Sequence, residues 1–303
     1  MIASLFALAV VASQPVAIAG PLHGTQTGDG KAPVALIMAG SGPTDRDGNN
    51  PLGVKAAPYR MLAEALAGDG ITTVRADKRG MFESAAASAD PNKVFPAILA
   101  ADAHAWAADI RKRTGAPCVW LIGHSEGGLE AMIAGQDGTD LCGVVLVAAP
   151  GRRLGDVVRE QLRANPANAP ILPDALGAID ALEKGQDVDV SKMHPALQQL
   201  FAPAIQPFWK AAMAYDPTKL VAGIKGPVLI VQGKTDIQVS VADAEVLKAA
   251  RPDATLVEIE GVNHLLKAAP ADRAGNLATY GNPDLPIAPA VVDAIAGFIN
   301  GHK

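Results

Sequence analysis

The stretch Val119-Trp120-Leu121-Ile122-Gly123-His124-Ser125-Glu126-Gly127-Gly128 most narrows what this chain can fold into. Four apolar residues read as a short buried strand. Gly-His-Ser-Glu-Gly then matches the G-x-S-x-G pattern, and Leu129 to Ala134 reads as a helix. Strand, sharp turn and helix are the setting in which a serine is held up on a strained turn as a nucleophile. Glycines at 123 and 127 leave room for the turn and for close helix packing. The alternative is a glycine-rich strand-to-helix turn carrying an incidental serine.

A serine hydroxyl is a poor nucleophile at neutral pH. It needs a base, and the base needs an acid that fixes its tautomer. Asp236 follows the apolar run Val228–Val231, and His264 follows Thr255–Ile259. Both are expected in loops after late strands, which makes Ser125, Asp236 and His264 the candidate catalytic set. Of the six histidines, His23 and His302 lie near the chain ends, and His104 and His194 fall in helical segments. His124 is expected to point away from its neighbour Ser125. Asp216 and Asp253 are rival acids, but neither follows a buried run. An oxyanion in such chemistry needs two preorganised donors. The backbone N–H of Glu126 and that of Ser41, in the glycine-rich loop after Val34–Met38, are the candidates. The Glu126 side chain is expected to reach Arg46 or Lys78, or solvent. Asp45, Arg46, Asp47, Asp77 and Arg79 are expected to lock loops beside the site.

Upstream, apolar runs at 34–38 and 71–76 alternate with helical spacing at 59–67 and 93–113. This is a βαβ series with a parallel sheet, whose functional loops lie at the strands' C-terminal ends. From 151 to 216 no strand is legible, and helical pieces are broken by six prolines between 166 and 207. The expected organisation is an α/β core over 20–150 and 217–303, with a helical cap over 151–216. Phe201, Phe208 and Trp209 in that segment are candidates to line an acyl pocket; the other reading is that they only glue the cap to the core.

Residues 1–19 pair an apolar run with Ala17-Ile18-Ala19, an A-x-A cleavage pattern, although no Lys or Arg precedes Lys31. This reads as an export signal with a truncated or misassigned start, hence a periplasmic or secreted protein; the other reading is a buried first helix or strand in a cytoplasmic one. Cys118 and Cys142 fall at the same end of what are expected to be neighbouring parallel strands. Export would permit a disulfide between them; otherwise they are two buried thiols. A net charge of −5 without a basic block argues against nucleic acid as the partner. The apolar run is too short for stable membrane insertion. Two distant cysteines make no zinc site, and no phosphate-binding or full dinucleotide fingerprint is present, so neither metal nor cofactor is expected.

Ser…Asp…His is the chain order of the α/β-hydrolases. With Ala39-Gly40-Ser41-Gly42-Pro43-Thr44-Asp45-Arg46-Asp47-Gly48-Asn49, Asp77-Lys78-Arg79-Gly80 and Gly123-His124-Ser125-Glu126-Gly127, the chain resembles that superfamily over residues 31–303. Within it, these motifs resemble bacterial carboxylesterases of the serine aminopeptidase S33-like group. The resemblance implies an eight-stranded, mostly parallel sheet flanked by helices, a helical cap, and ester hydrolysis without metal or organic cofactor. The chain before Val34 looks too short for the first strands usual in the family. A serine carboxylesterase acting on small esters through an acyl-enzyme is the leading expectation. An aminopeptidase or amidase, anchoring an amine on Asp174, Asp180, Glu183 or Asp187, is the runner-up, followed by an acyltransferase. A binding module without catalysis fits an intact Ser/Asp/His set poorly.

Overall fold

In a computed structural model, residues 12–18, 20–31 and 33–302 are described. Eight strands form one sheet: β1 (Ser13–Ile18), β2 (Leu22–Thr27), β3 (Val34–Met38), β4 (Thr72–Ala76), β5 (Val119–His124), β6 (Leu141–Val147), β7 (Val228–Gly233) and β8 (Thr255–Ile259). Their spatial order is β1-β2-β4-β3-β5-β6-β7-β8. β2 runs antiparallel to β1 and to β4, and every other pairing is parallel. β3, β5 and β7 are buried along their whole length. Central parallel strands are covered on both faces, which is why they read as unbroken apolar runs.

The helices are α1 (Pro58–Gly68), α2 (Pro96–Thr114), α3 (Glu126–Ala134), α4 (Leu154–Arg163), α5 (Leu172–Glu183), α6 (Pro195–Leu200), α7 (Gln206–Met213), α8 (Pro217–Gly223), α9 (Val241–Ala250), α10 (Arg273–Ala278) and α11 (Pro289–Gly301). α2 and α3 contribute Trp106, Ile110 and Met132 to one core beneath the sheet. α1 and α11 contribute Leu62, Leu66, Ile295 and Ile299 to the other. Between β6 and α8, helices α4 to α7 bury a third cluster, including Ile179, Leu182, Leu197, Phe201 and Met213. The stretch between β8 and α11, whose Pro/Gly-rich sequence reads as loop, contains α10.

Two expectations change at the start of the chain. The segment before Val34 is long enough for two antiparallel strands, β1 and β2. Residues 13–18 of the expected leader pair with 22–27 at the sheet edge, while residues 1–11 and 19 lie outside the described residues.

Cys118 and Cys142 are bonded, with their Cα atoms 5.1 Å apart. The parallel register explains the meeting, since Val119 lies opposite Leu141. Closing a loop over a separation of 24 residues stabilises the fold by about 3 kcal/mol through the lost freedom of the unfolded chain. Urea unfolding of the oxidised protein and of a Cys118→Ser/Cys142→Ser variant should differ by about that amount; equal unfolding free energies would remove the disulfide from the stability account.

Candidate active site

Ser125 sits between β5 and α3 with φ 54° and ψ −124°. Such a backbone in a residue with a Cβ costs on the order of 1–3 kcal/mol and persists only where the surroundings over-determine it. Here the surroundings are glycines in close contact. A Cβ on Gly123 would lie 2.4 Å from the Gly127 oxygen, and one on Gly127 would lie 2.4 Å from the Met38 oxygen. Helix α3 is thereby pressed against the ends of β5 and β3. The loop after β3 follows at the same level: a Cβ on Gly40 would meet Ser125 Cβ at 3.2 Å.

The Gly40 peptide is held at both ends. Its N–H donates to Tyr59 Oη at 2.9 Å, and its carbonyl accepts from Lys78 Nζ at 2.7 Å. Ser41 is thus presented beside Ser125, and among the described residues its N–H has no backbone acceptor. Glu126 opens α3, so its N–H has no acceptor within the helix. The two candidate oxyanion donors therefore border the same space.

His264 Nδ1 lies 2.7 Å from Asp236 Oδ2. A carboxylate only accepts, so Nδ1 carries the proton and Nε2 is left as a base. The Asp236 side chain is fully buried. Its Oδ1 accepts from the N–H groups of Gln238 at 2.7 Å and Val239 at 3.0 Å, which orients the carboxylate. Both rival acids are engaged elsewhere: Asp216 caps α8 through Thr218, and Asp253 pairs with Arg251. Ser125 and His264 line one small cavity of about 100 Å³, together with Gly40, Ser41, Tyr59, His124 and Gln238.

The His124 ring is engaged in a bond network that links the site. Its Nε2 lies 2.8 Å from the His264 carbonyl and its Nδ1 2.8 Å from Tyr59 Oη. The carbonyl can only accept, so Nε2–H donates to it, and Nδ1 accepts from the Tyr59 hydroxyl. One chain of hydrogen bonds therefore runs from Gly40 through Tyr59 and His124 to the backbone of His264. Burial pushes His124 down to about 3, with His264 adding to the effect, so the ring is neutral.

The loop that carries His264 is held by residues with no obvious signal in sequence. Asn263, buried, accepts from the N–H groups of Leu265 and Lys267 and donates to Thr279 Oγ1. Asn276 on α10 donates to the carbonyls of Thr235 and Pro270, tying the Asp236 loop to the His264 loop. The expected loop locks are in place. Arg46 bonds Asp77 and Glu83, Arg75 pairs with Asp47, Arg79 grips Asp102, and Asp45 accepts from the N–H groups of Asp47 and Asn49. Glu126 forms an ion pair with neither Arg46 nor Lys78; it borders two cavities instead.

Those cavities join the space around Ser125. One of about 110 Å³ contains Ser41, Ser125, Glu126, Gln161 and Trp209. Ser41, Glu126, Gln161 and Trp209 recur in the wall of a larger cavity of about 600 Å³, which Val94, Leu99, Val158 and Leu162 make mostly apolar. Of the three aromatic candidates, Phe208 and Trp209 line the large cavity. Phe201 does not: it is 0% exposed and packs among the helices of the insertion. Sequence missed Tyr59, Gln161 and Gln238, and gave Lys78 a different partner, because each acts through a residue distant in the chain. Among the described residues no group of three or more His, Cys, Asp or Glu side chains could hold a metal ion.

A mostly parallel eight-stranded sheet with a serine on a strained strand-to-helix turn defines the α/β-hydrolase class. The chain belongs to the serine aminopeptidase S33 family, whose match covers residues 52–268. It is 27% identical over 254 residues to esterase EstD of Thermotoga maritima, covering 79% of this chain and 56% of that protein. The chain thus spans little more than half the length of that curated relative. Among solved structures, Est1E from Butyrivibrio proteoclasticus superposes with a TM-score of 0.59 at 16% identity, covering 96% of this chain and 98% of that one. The proline iminopeptidase of Mycobacterium smegmatis superposes at 0.60 and 14% identity, with the same coverage of 96% and 98%. At these identities the superpositions speak for the fold.

Two substitutions separate core from pocket. Phe201→Ala should cost about 3–5 kcal/mol in denaturant unfolding, as for a fully buried ring, whereas Phe208→Ala should leave stability nearly unchanged and raise KM. His124 adds a pH signature. Its folded pKa of about 3 lies below the unfolded value of about 6.5. The unfolded state therefore binds the extra proton between those limits, and stability contributed above pH 6.5 is lost as pH falls toward 3. Unfolding free energy from pH 7 to 4 should fall less steeply in His124→Gln than in wild type, by up to about 1.4 kcal/mol per pH unit.

Proposed function

We propose that this protein is a serine hydrolase that cleaves carboxylic esters. The observation that carries the reading is the strained turn at Ser125 sharing a cavity with a His264 whose Nδ1 is held by Asp236. In this reading Ser125 Oγ attacks the ester carbonyl carbon, and His264 Nε2 takes the hydroxyl proton. Asp236 steadies the imidazolium by its hydrogen bond. The negative oxygen of the tetrahedral intermediate is received by the N–H groups of Ser41 and Glu126, each such donor contributing about a hundred- to thousandfold in rate. Collapse expels the alcohol, protonated by His264. Water activated by the same imidazole then releases the acid from Ser125. Helices α4 to α7 serve as a cap whose Phe208 and Trp209 contact the apolar part of the substrate.

Esters are favoured over peptide-like amines by where the four candidate amine anchors of the insertion lie. Asp174, Asp180, Glu183 and Asp187 are all exposed. Asp180 and Glu183 bind Arg159, and Asp187 binds Lys210, on the outside of the insertion. None of the four borders the cavities at Ser125. The likeness to esterase EstD points the same way. Export is part of the proposal, supported by the Cys118–Cys142 disulfide, since such bonds persist in oxidising compartments. Cleavage after Ala19 would remove β1 and leave β2 as the sheet edge.

Hydrolysis of p-nitrophenyl esters from acetate to octanoate by wild type and Ser125→Ala tests the reading. Wild type should turn over at least part of the series, and the variant should lose at least about a thousandfold in kcat. Full activity in Ser125→Ala would overturn the assignment of the nucleophile.

A further inference from the structure

The large cavity is more than an apolar slot. Its wall is mostly apolar, yet Glu126 lines both it and the smaller cavity that Ser125 borders. Among the described residues no hydrogen bond or ion pair engages that carboxyl group. Two nearby cations are already committed: Lys78 Nζ donates to the Gly40 carbonyl, and Arg79 grips Asp102. The polar side chain of Gln161, which also lines both cavities, donates to the Gln238 carbonyl at 2.9 Å. A carboxyl group with no protein donor beside an apolar cavity keeps its acceptor capacity for a donor that a ligand brings.

We propose that Glu126 recognises a hydroxyl group on the apolar part of the ester substrate, so that the preferred substrates are medium-chain hydroxy esters. This rests on the ester hydrolase reading and specifies its substrate. The placement follows from the chain. Glu126 is the residue after Ser125, their Cα atoms about 3.8 Å apart, so its carboxyl group reaches substrate atoms a few bonds from the scissile carbonyl. Either oxygen of the group accepts from a hydroxyl, whether the carboxyl is ionised or not. A substrate ammonium fits less well, because Lys78 and Arg79 border the same cavity and oppose a third cation. A cavity of about 600 Å³ suits a chain of roughly eight carbons better than an acetyl group, being well within the size range of sites for drug-sized ligands. One turn along α3, Glu130 is 2% exposed and borders neither cavity, so the acceptor role falls to Glu126.

Two matched substrate pairs test this and tell which side of the ester enters the cavity. One is p-nitrophenyl octanoate against p-nitrophenyl 3-hydroxyoctanoate. The other is octyl acetate against 2-hydroxyoctyl acetate. Wild type should prefer the hydroxylated member of one pair by about three- to a hundredfold in kcat/KM, the range for a hydrogen bond to a neutral or a charged acceptor. That ratio should fall to about one in Glu126→Met and persist in part in Glu126→Gln, whose amide oxygen still accepts. Equal kcat/KM within both pairs for wild type, or a preference unchanged in Glu126→Met, would overturn the inference. A calorimetric measurement on Ser125→Ala stands apart from catalysis. 1,2-Octanediol should bind at least about threefold more tightly than 1-octanol; equal affinities would overturn the inference even with the hydrolase reading intact. Absence of any ester turnover by wild type would instead count against that reading and leave the diol comparison to decide this one.

Discussion

The close packing of α3 against the ends of β5 and β3 holds the site together. Ser125 keeps a backbone conformation that a residue with a Cβ seldom adopts, and it does so because the main chains around it touch at glycines. With a side chain at Gly123 or Gly127, the helix would have to move off the strands, and the turn would relax. The strain at one residue is thus balanced by burial in two cores, one on each face of the sheet. The same approach brings the loop after β3 level with Ser125, so the donors at 41 and 126 and the hydroxyl at 125 share one rim.

A second constraint keeps the rest of the site in register with that turn. Lys78 and Tyr59 hold the two ends of the Gly40 peptide, Tyr59 continues to His124, and His124 reaches the backbone of His264. Every member is buried or nearly so, where an unpaired polar group is expensive. Displacing one element therefore orphans groups on another. Asn276 ties the region after β8 to the loop after β7, and Asn263 braces the loop that carries His264. Three loops from distant parts of the chain are in this way fixed to one another by side-chain hydrogen bonds to backbone.

Much of this is legible in the sequence. Buried parallel strands leave unbroken apolar runs, and a nucleophile turn leaves glycines at set intervals, so the strands from 34 onward and Ser125 could be read directly. Asp236 and His264 could be read because each follows such a run. The antiparallel edge was less visible: Ser13–Ile18 and Leu22–Thr27 mix polar and apolar residues, as strands near a sheet edge can, and the first of them overlaps a stretch that reads as a leader. Phe201 was misplaced as a pocket residue. Aromatic character says that a ring is buried, while only the packing of α5, α6 and α7 says against what. α10 was missed because a six-residue helix with one buried side chain leaves almost no periodic pattern.

By itself, the sequence determined the sheet and helix alternation, the turn at Ser125, the order Ser…Asp…His and the adjacency of Cys118 to Cys142. These depend on local pattern: period, glycine spacing, and position relative to a strand. Tertiary structure alone decided that Phe208 and Trp209 rather than Phe201 face the cavity, and that the Glu126 carboxyl is left without a protein partner. It also decided that Tyr59 and His124 connect the two sides of the site. Each of these is a relation between side chains tens to hundreds of residues apart, and it exists only once the sheet has set the strand ends side by side.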